Sequence, residues 1–341
     1  MVLVLLVPLL VVCAITWQTS GAEYLRENFA RQAPRWSGLH LAVQRETAVV
    51  DRIVRERRRL IVGVAIGGVA GIAVLFALDL RDDFEQGNLL VLLTGCVLGA
   101  VVTQCASLFV ESRRRAGVEG GVVREKGTAL RDVLPRVVTF GALSAALSNL
   151  MLAALGLSFF ASGAFEFTEY SGPFSPVAAI VSSVVLALCF PLYLVVASIT
   201  SRRRQSAATS IDLAWDDAFF ARLSLTAACI PLGILPAASL SVVSALTLSL
   251  RHPEYDQAIR NLVVISAVGY AVFVGYLLVI YLLKPQWHYL RTLWPDVAAR
   301  GTVERAALRA TKREAAARAY RGLPPVSEAT STPEKAPAAS L

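Results

Sequence analysis

The 341-residue chain is 55% hydrophobic, has a mean hydropathy of +0.58 and carries a formal net charge of +8. That apolar content exceeds the soluble globular range, so most of the chain is expected to cross lipid. The basic balance does not point to nucleic acid, because it is sorted by segment: 30 of the 33 basic residues fall in 18–59, 111–136, 201–222 and 284–341, and only 3 in the alternate segments 79–88, 161–175 and 251–260. Such alternation follows the positive-inside rule and places the Arg-rich segments in the cytoplasm, beside anionic lipid.

Between these segments lie seven apolar runs without Asp, Glu, Lys or Arg: 1–17, 60–78, 89–110, 137–160, 176–200, 223–250 and 261–283. Runs of this length predict transmembrane helices. The expected fold is therefore all-α, a polytopic helical bundle of about seven spans in the cell membrane. Its N-terminus is expected outside and its C-terminus in the cytoplasm, with the lipid bilayer as its principal partner. The run 1–17 is short and lacks a basic n-region, which makes it a poor signal peptide. It is read as a first span, or as an interfacial anchor with six spans following.

The basic cytoplasmic segment 18–59 comes next, then a six-helix membrane bundle over 60–283. A basic cytoplasmic helix over 284–321 and a disordered tail over 322–341, with Pro324, Pro325, Pro333 and Pro337, complete the chain. Short outer connections make spans 2–3, 4–5 and 6–7 three helical hairpins. Only four basic residues are Lys and 29 are Arg, a bias that fits a GC-rich bacterial genome.

Three cytoplasmic pieces are amphipathic or helix-prone. From Leu41 to Arg59, Val43, Val50, Ile53 and Val54 share a face against Arg45, Arg52 and Glu56. Ile211–Leu223 places Trp215, Phe219 and Phe220 beside Asp212, Asp216 and Asp217, and 297–321 is rich in Ala and Arg. All three are expected to lie along the inner membrane surface. The sharper alternative is docking of a cytoplasmic protein partner, above all through 284–321.

Charge-free spans argue against carboxylate-driven pumping. Gln104 in span 3, Asn149 in span 4, Pro191 in span 5 and Pro231 in span 6 are the residues that would bound a polar cavity. Interhelical hydrogen bonding is the plainer role for the two amides. Tyr270, Tyr276 and Pro236 are further polar or kinking positions. Gly63, Gly67 and Gly71 make two GxxxG steps along span 2, a packing face for another helix of this chain or for a homodimer.

No HExxH, GxSxG, Walker A or GxGxxG occurs. His40, His252 and His288 are far apart in the chain, so no zinc cluster is read and no cofactor is expected. Aspartates can hold Mg²⁺ on a diphosphate, but Asp79, Asp82 and Asp83 fall on the opposite side from Asp212, Asp216 and Asp217. The second set reads as a solvated face. The five cysteines, all in apolar runs, read as small buried hydrophobes. No catalytic activity is expected.

At the front end, a first helix is followed by Gly38-Leu39-His40-Leu41-Ala42-Val43, then Asp51-Arg52 and Arg57-Arg58-Arg59 leading into span 2. This order resembles a domain of unknown function in multi-pass membrane proteins of actinobacterial type, shared at greater distance with SdpI-type immunity proteins. Asp212-Leu213-Ala214-Trp215-Asp216-Asp217-Ala218 is also similar to those proteins. The resemblance brings no functional residues with it. It implies a regulatory, sensing or immunity-type membrane protein. The alternative is a permease or transport component, suggested by the proline-broken spans 5 and 6.

Overall fold

Inside lipid every backbone N–H and C=O must find its partner within the protein, which leaves helices as the way for isolated apolar runs to cross. The computed structural model describes residues 2–37, 39, 43–77, 86–115, 122–124, 128–161, 176–202, 205–207, 209–249, 256–283 and 285–299. In chain order the elements are α1 (Val2–Thr19), α2 (Glu23–Ser37), α3 (Val43–Ala77), α4 (Gln86–Arg115), β1 (Val122–Arg124), α5 (Leu130–Val133), α6 (Arg136–Ala161), α7 (Pro176–Ser201), β2 (Gln205–Ala207), α8 (Ser210–Ser249) and α9 (Asp256–Leu283). A 3₁₀ turn at Pro285–Trp287 then leads into α10 (His288–Leu293). The fold is an all-α polytopic bundle. Six helices, α3, α4, α6, α7, α8 and α9, are long and apolar enough to cross a membrane. α1 is the remaining member of the seven-span expectation: its 18 residues rise about 27 Å, and its side chains are described from Leu10.

The centre of the bundle is α4, which packs on α3, α7 and α8. Of its apolar window 56% is buried, against 6% for α9 at the periphery. The α3–α4 pair is antiparallel and very close, for a reason legible atom by atom. A Cβ on Gly63 would sit 2.6 Å from the Gly99 carbonyl oxygen, one on Gly67 would sit 2.9 Å from the Gly95 carbonyl carbon, and one on Gly71 would sit 3.1 Å from the Val91 oxygen. The glycine stripe of α3 thus meets Gly95 and Gly99, a GxxxG step on α4, backbone against backbone. That face of α3 is occupied within the chain, by α4.

α3 and α8, with 35 and 40 residues, rise about 52 and 60 Å, well beyond a hydrocarbon core of about 30 Å. Both overshoot at the basic end. This corrects the expectation that 41–59 and 211–223 lie along the membrane surface: in the described residues they continue their spans as unbroken helices. Their apolar faces explain why, since Val50, Ile53, Trp215, Phe219 and Phe220 are all buried. Burying aromatic and branched side chains in protein removes more of their area from water than an interfacial position does. Thr209 and Asp212 start α8 as a reciprocal cap. The Thr209 hydroxyl donates to the Asp212 carboxylate at 2.7 Å, while the Asp212 amide donates to Thr209 Oγ1 at 3.2 Å.

The other basic segments close over the same end. β1 and β2 pair antiparallel, Val122 opposite Ala207 and Arg124 opposite Gln205, so the segment after α4 is tied to the one before α8. The continuous helix expected over 284–321 is instead broken at Trp294. Residues 285–294 belong to the bundle's compact unit, which ends there; the second unit is Pro295–Leu341. Tyr289, fully buried, anchors α10 by donating to the Ser37 carbonyl at 2.6 Å. Burial, and then the nearby Asp217 carboxylate, push its phenol above the ordinary tyrosine range, so it remains a donor at physiological pH. The expected continuation of the helix beyond 299, the tail 322–341, His40, His252 and the Asp79–Glu85 loop lie outside the described residues.

The α3–α4 contact predicts an asymmetric response to added side chains. Gly67→Val should destabilise the detergent-solubilised protein by about 2 kcal/mol or more, as overpacking does in a close-packed core. Gly233→Val, where a Cβ would meet nothing within 4 Å, should leave it unchanged. Thermal unfolding followed by size-exclusion chromatography would show the difference.

Candidate functional site

Two constellations stand out in the bundle, one at its basic end and one inside the apolar layer. The first forms where the overshooting turns of α3 and α8 meet the last turn of α4. Arg52 reaches from α3 with each terminal nitrogen on a different carboxylate: 2.6 Å to Glu111 Oε2 on α4 and 2.5 Å to Asp216 Oδ1 on α8. Its guanidinium also stacks 4.1 Å above the Phe219 ring. The side chains are 17%, 9% and 21% exposed, so this is an interior network rather than a surface pair. Around it, Arg222 lies 3.8 Å from Glu56, and the Trp294 indole donates to Asp217 at 2.9 Å. Asp217 is 1% exposed and Asp216 holds Arg52, so the expectation of a solvated aspartate face is overturned for these two, while Asp212 stays at the exposed start of α8.

The Arg52–Glu111 pair keeps the register of the glycine contacts. Gly67 lies against Gly95 and Gly63 against Gly99, and the same antiparallel pairing carried about three turns further brings residue 52 to residue 111. The glycine faces therefore set where this ion pair falls.

The second constellation is a cleft of about 540 Å³ between α6, α8 and α9. Its wall on α6 carries Gly141, Ser144, Ser148 and Asn149; on α8 Pro236 and Ser239; on α9 Ser266, Gly269, Tyr270 and Tyr276. Asn149 is 2% exposed and clamps three helices: it donates to the Ser183 carbonyl of α7 at 2.8 Å and accepts from Ser239 at 2.7 Å. Tyr276 closes the cleft toward the basic end. Its hydroxyl donates to the Val138 carbonyl at 3.0 Å, and its ring occupies the space into which a Cβ on residue 141 would project. Of the residues that line it, Leu240 of α8 and Ile265, Tyr270 and Val272 of α9 are exposed, so the cleft is open at the side of the bundle. Among the described residues no Asp, Glu, Lys, Arg, His or Cys lines it.

Of the four residues named from sequence as bounding a cavity, the fold brings only Asn149 to this cleft, together with Pro236, Tyr270 and Tyr276. Gln104 is 1% exposed within α4, and its Oε1 finds no hydrogen-bond partner among the described residues. Pro191 is inside α7 and Pro231 inside α8, and neither lines the cleft. The serines were missed, although Ser144 and Ser148, and Ser266 and Tyr270, share the four-residue spacing that puts hydroxyls on one helix face. The Arg52 network has no local signature, since its partners lie 59 and 164 positions away. Among the described residues no group of three or more His, Cys, Asp or Glu is placed to hold a metal ion.

The fold and the cleft define a multi-pass helical membrane protein. No protein-family model, curated protein or solved structure matches the chain.

The ionic network should be sensitive to loss of its cation. Arg52→Ala removes the cation held between the Glu111 and Asp216 carboxylates and should cost about 3–5 kcal/mol. Arg52→Lys should recover little, since an ammonium cannot bridge two carboxylates and stack on Phe219 at once. Arg31→Ala, in an exposed pair with Glu27, serves as a control whose melting temperature should stay at the wild-type value.

Proposed function

We propose that this is a regulatory or sensing membrane protein, of the immunity-type class in the broad sense, without catalytic activity of its own. It sits in the cell membrane with its basic end in the cytoplasm. The observation that carries this reading is the Arg52 network, which ties the basic ends of α3, α4 and α8 into one buried unit. Trp294 on Asp217 adds residues 285–294 to the same unit. A protein that only has to span lipid needs no such elaborated end. One that converts a change among its helices into a change on its cytoplasmic surface does. The resemblance of 38–59 and 212–218 to the actinobacterial-type domain points the same way, and both segments contribute residues to this end.

The permease reading is less well supported. A transport route needs an exit on each side, whereas the cleft ends at Tyr276 against Val138 and Gly141.

Two measurements test the proposal. Single cysteines replacing Arg113 or Arg202, both exposed, should react with a membrane-impermeant maleimide only after the cells are opened. Photo-crosslinkers at Arg113, Arg131, Arg202 and Arg291 in host membranes should give a discrete cytosolic adduct that is lost in an Arg52→Ala chain still present in the membrane. Solute uptake into proteoliposomes, with no adduct at any of the four positions, would establish transport instead.

A further inference from the structure

We propose that the α6/α8/α9 cleft is a binding site for an uncharged amphiphile of the bilayer, one whose hydroxyl or carbonyl oxygens enter the cleft while its tail stays in lipid. This deepens the regulatory reading by naming the stimulus, and it rests on that reading for its consequence though not for binding itself.

Four observations define the occupant. The volume of about 540 Å³ falls within the range of small-molecule sites. Among the described residues the lining contains no charged group, so an ionic head would enter without a counter-charge in an apolar layer, which is strongly unfavourable. The site nonetheless offers polar atoms to spare. Asn149 uses one amide N–H on Ser183 and has a second, and the hydroxyls of Ser266 and Tyr270 take no partner among the described residues. Only Asn149 of the three is buried, with Tyr270 half-exposed at the open side, but polar groups that face an apolar layer are costly unless satisfied, and a ligand oxygen would satisfy these. Finally, the way in is lateral. Tyr276 shuts the basic end, while the exposed length of α9 leaves the side toward the acyl chains open. A molecule reaching this site comes from the membrane rather than from water.

Glycine positions supply both a block and its control. A Cβ on Gly269 would meet nothing within 4 Å, and this residue lines the cleft; the same is true of space at Gly275, which does not line it. Gly269→Leu should therefore fill the cleft without disturbing the bundle, and Gly275→Leu should do neither.

The full chain in phosphatidylcholine nanodiscs would be irradiated with a diazirine-bearing diacylglycerol, or with a phosphatidylglycerol of the same chains. Diacylglycerol should label peptides within 141–152 and 265–276 about tenfold or more above the charged lipid. Gly269→Leu should remove that excess, and Gly275→Leu should retain it. Equal labelling by the two lipids, which is bulk lipid filling a gap, overturns the proposal. So does an excess that survives Gly269→Leu. Amide exchange over 210–217 and 288–294, measured with and without dioctanoylglycerol, separates the two readings. Specific labelling with altered exchange supports both; specific labelling with unaltered exchange upholds the ligand and overturns the regulatory reading.

Discussion

Where Gly63, Gly67 and Gly71 of α3 lie against Gly95 and Gly99 of α4, the two backbones come closer than any residue with a side chain permits, and the rest of the bundle is arranged around that pair. In lipid there is no hydrophobic drive to press one helix on another, so association rests on packing, hydrogen bonds and fit. Glycine provides the fit by removing what would hold the helices apart. With α3 set against it, α4 also packs on α7 and α8. The register that the glycines impose also decides which side chains face one another beyond the membrane, and there it sets Arg52 opposite Glu111.

The charges follow from the same geometry. Nothing ionised is kept within the apolar windows, yet three ionised side chains are buried together one helical extension away. An arginine between two carboxylates is a weak source of net stability, and its contribution lies in joining three helices at one point. Phe219 beneath the guanidinium, with Trp215 tilted against it, takes the place of the water that would otherwise weaken the network.

Much of the membrane architecture was legible in the chain. The absence of charge from 60–78, 89–110, 137–160, 176–200, 223–250 and 261–283 located six spans, because a charge within hydrocarbon is costly at every position and its exclusion leaves a pattern in the sequence. The packing face on α3 was also visible, but its partner step at Gly95 and Gly99 passed unremarked, though it has the same spacing. The basic end was read poorly, for a physical reason. Amphipathicity says that a face will be covered without saying by what. Val50, Ile53 and Phe219 were assigned to the membrane surface when their cover was protein. Asp216 and Asp217 looked solvated because the groups that bury them come from α3 and from Trp294. The cleft was half seen through Asn149. Its serines drew no notice because hydroxyls in a span can bond their own helix, as Ser144 does to Phe140, and so carry little signal one at a time.

A last consequence concerns α8 as a mechanical part. The same helix lines the cleft with Ser239 and enters the ionic network with Asp216, points separated by about 35 Å along its axis. An unbroken helix of that length acts as a lever, and a tilt of about 5° moves its far end by roughly 3 Å, more than a hydrogen bond tolerates. Pro231 and Pro236 lie between the two points, and each removes one rung of the hydrogen-bond ladder. The lever therefore has a soft joint along its length. Small displacements at Ser239 would be absorbed there as bending, and only those exceeding the compliance of the joint would reach Asp216.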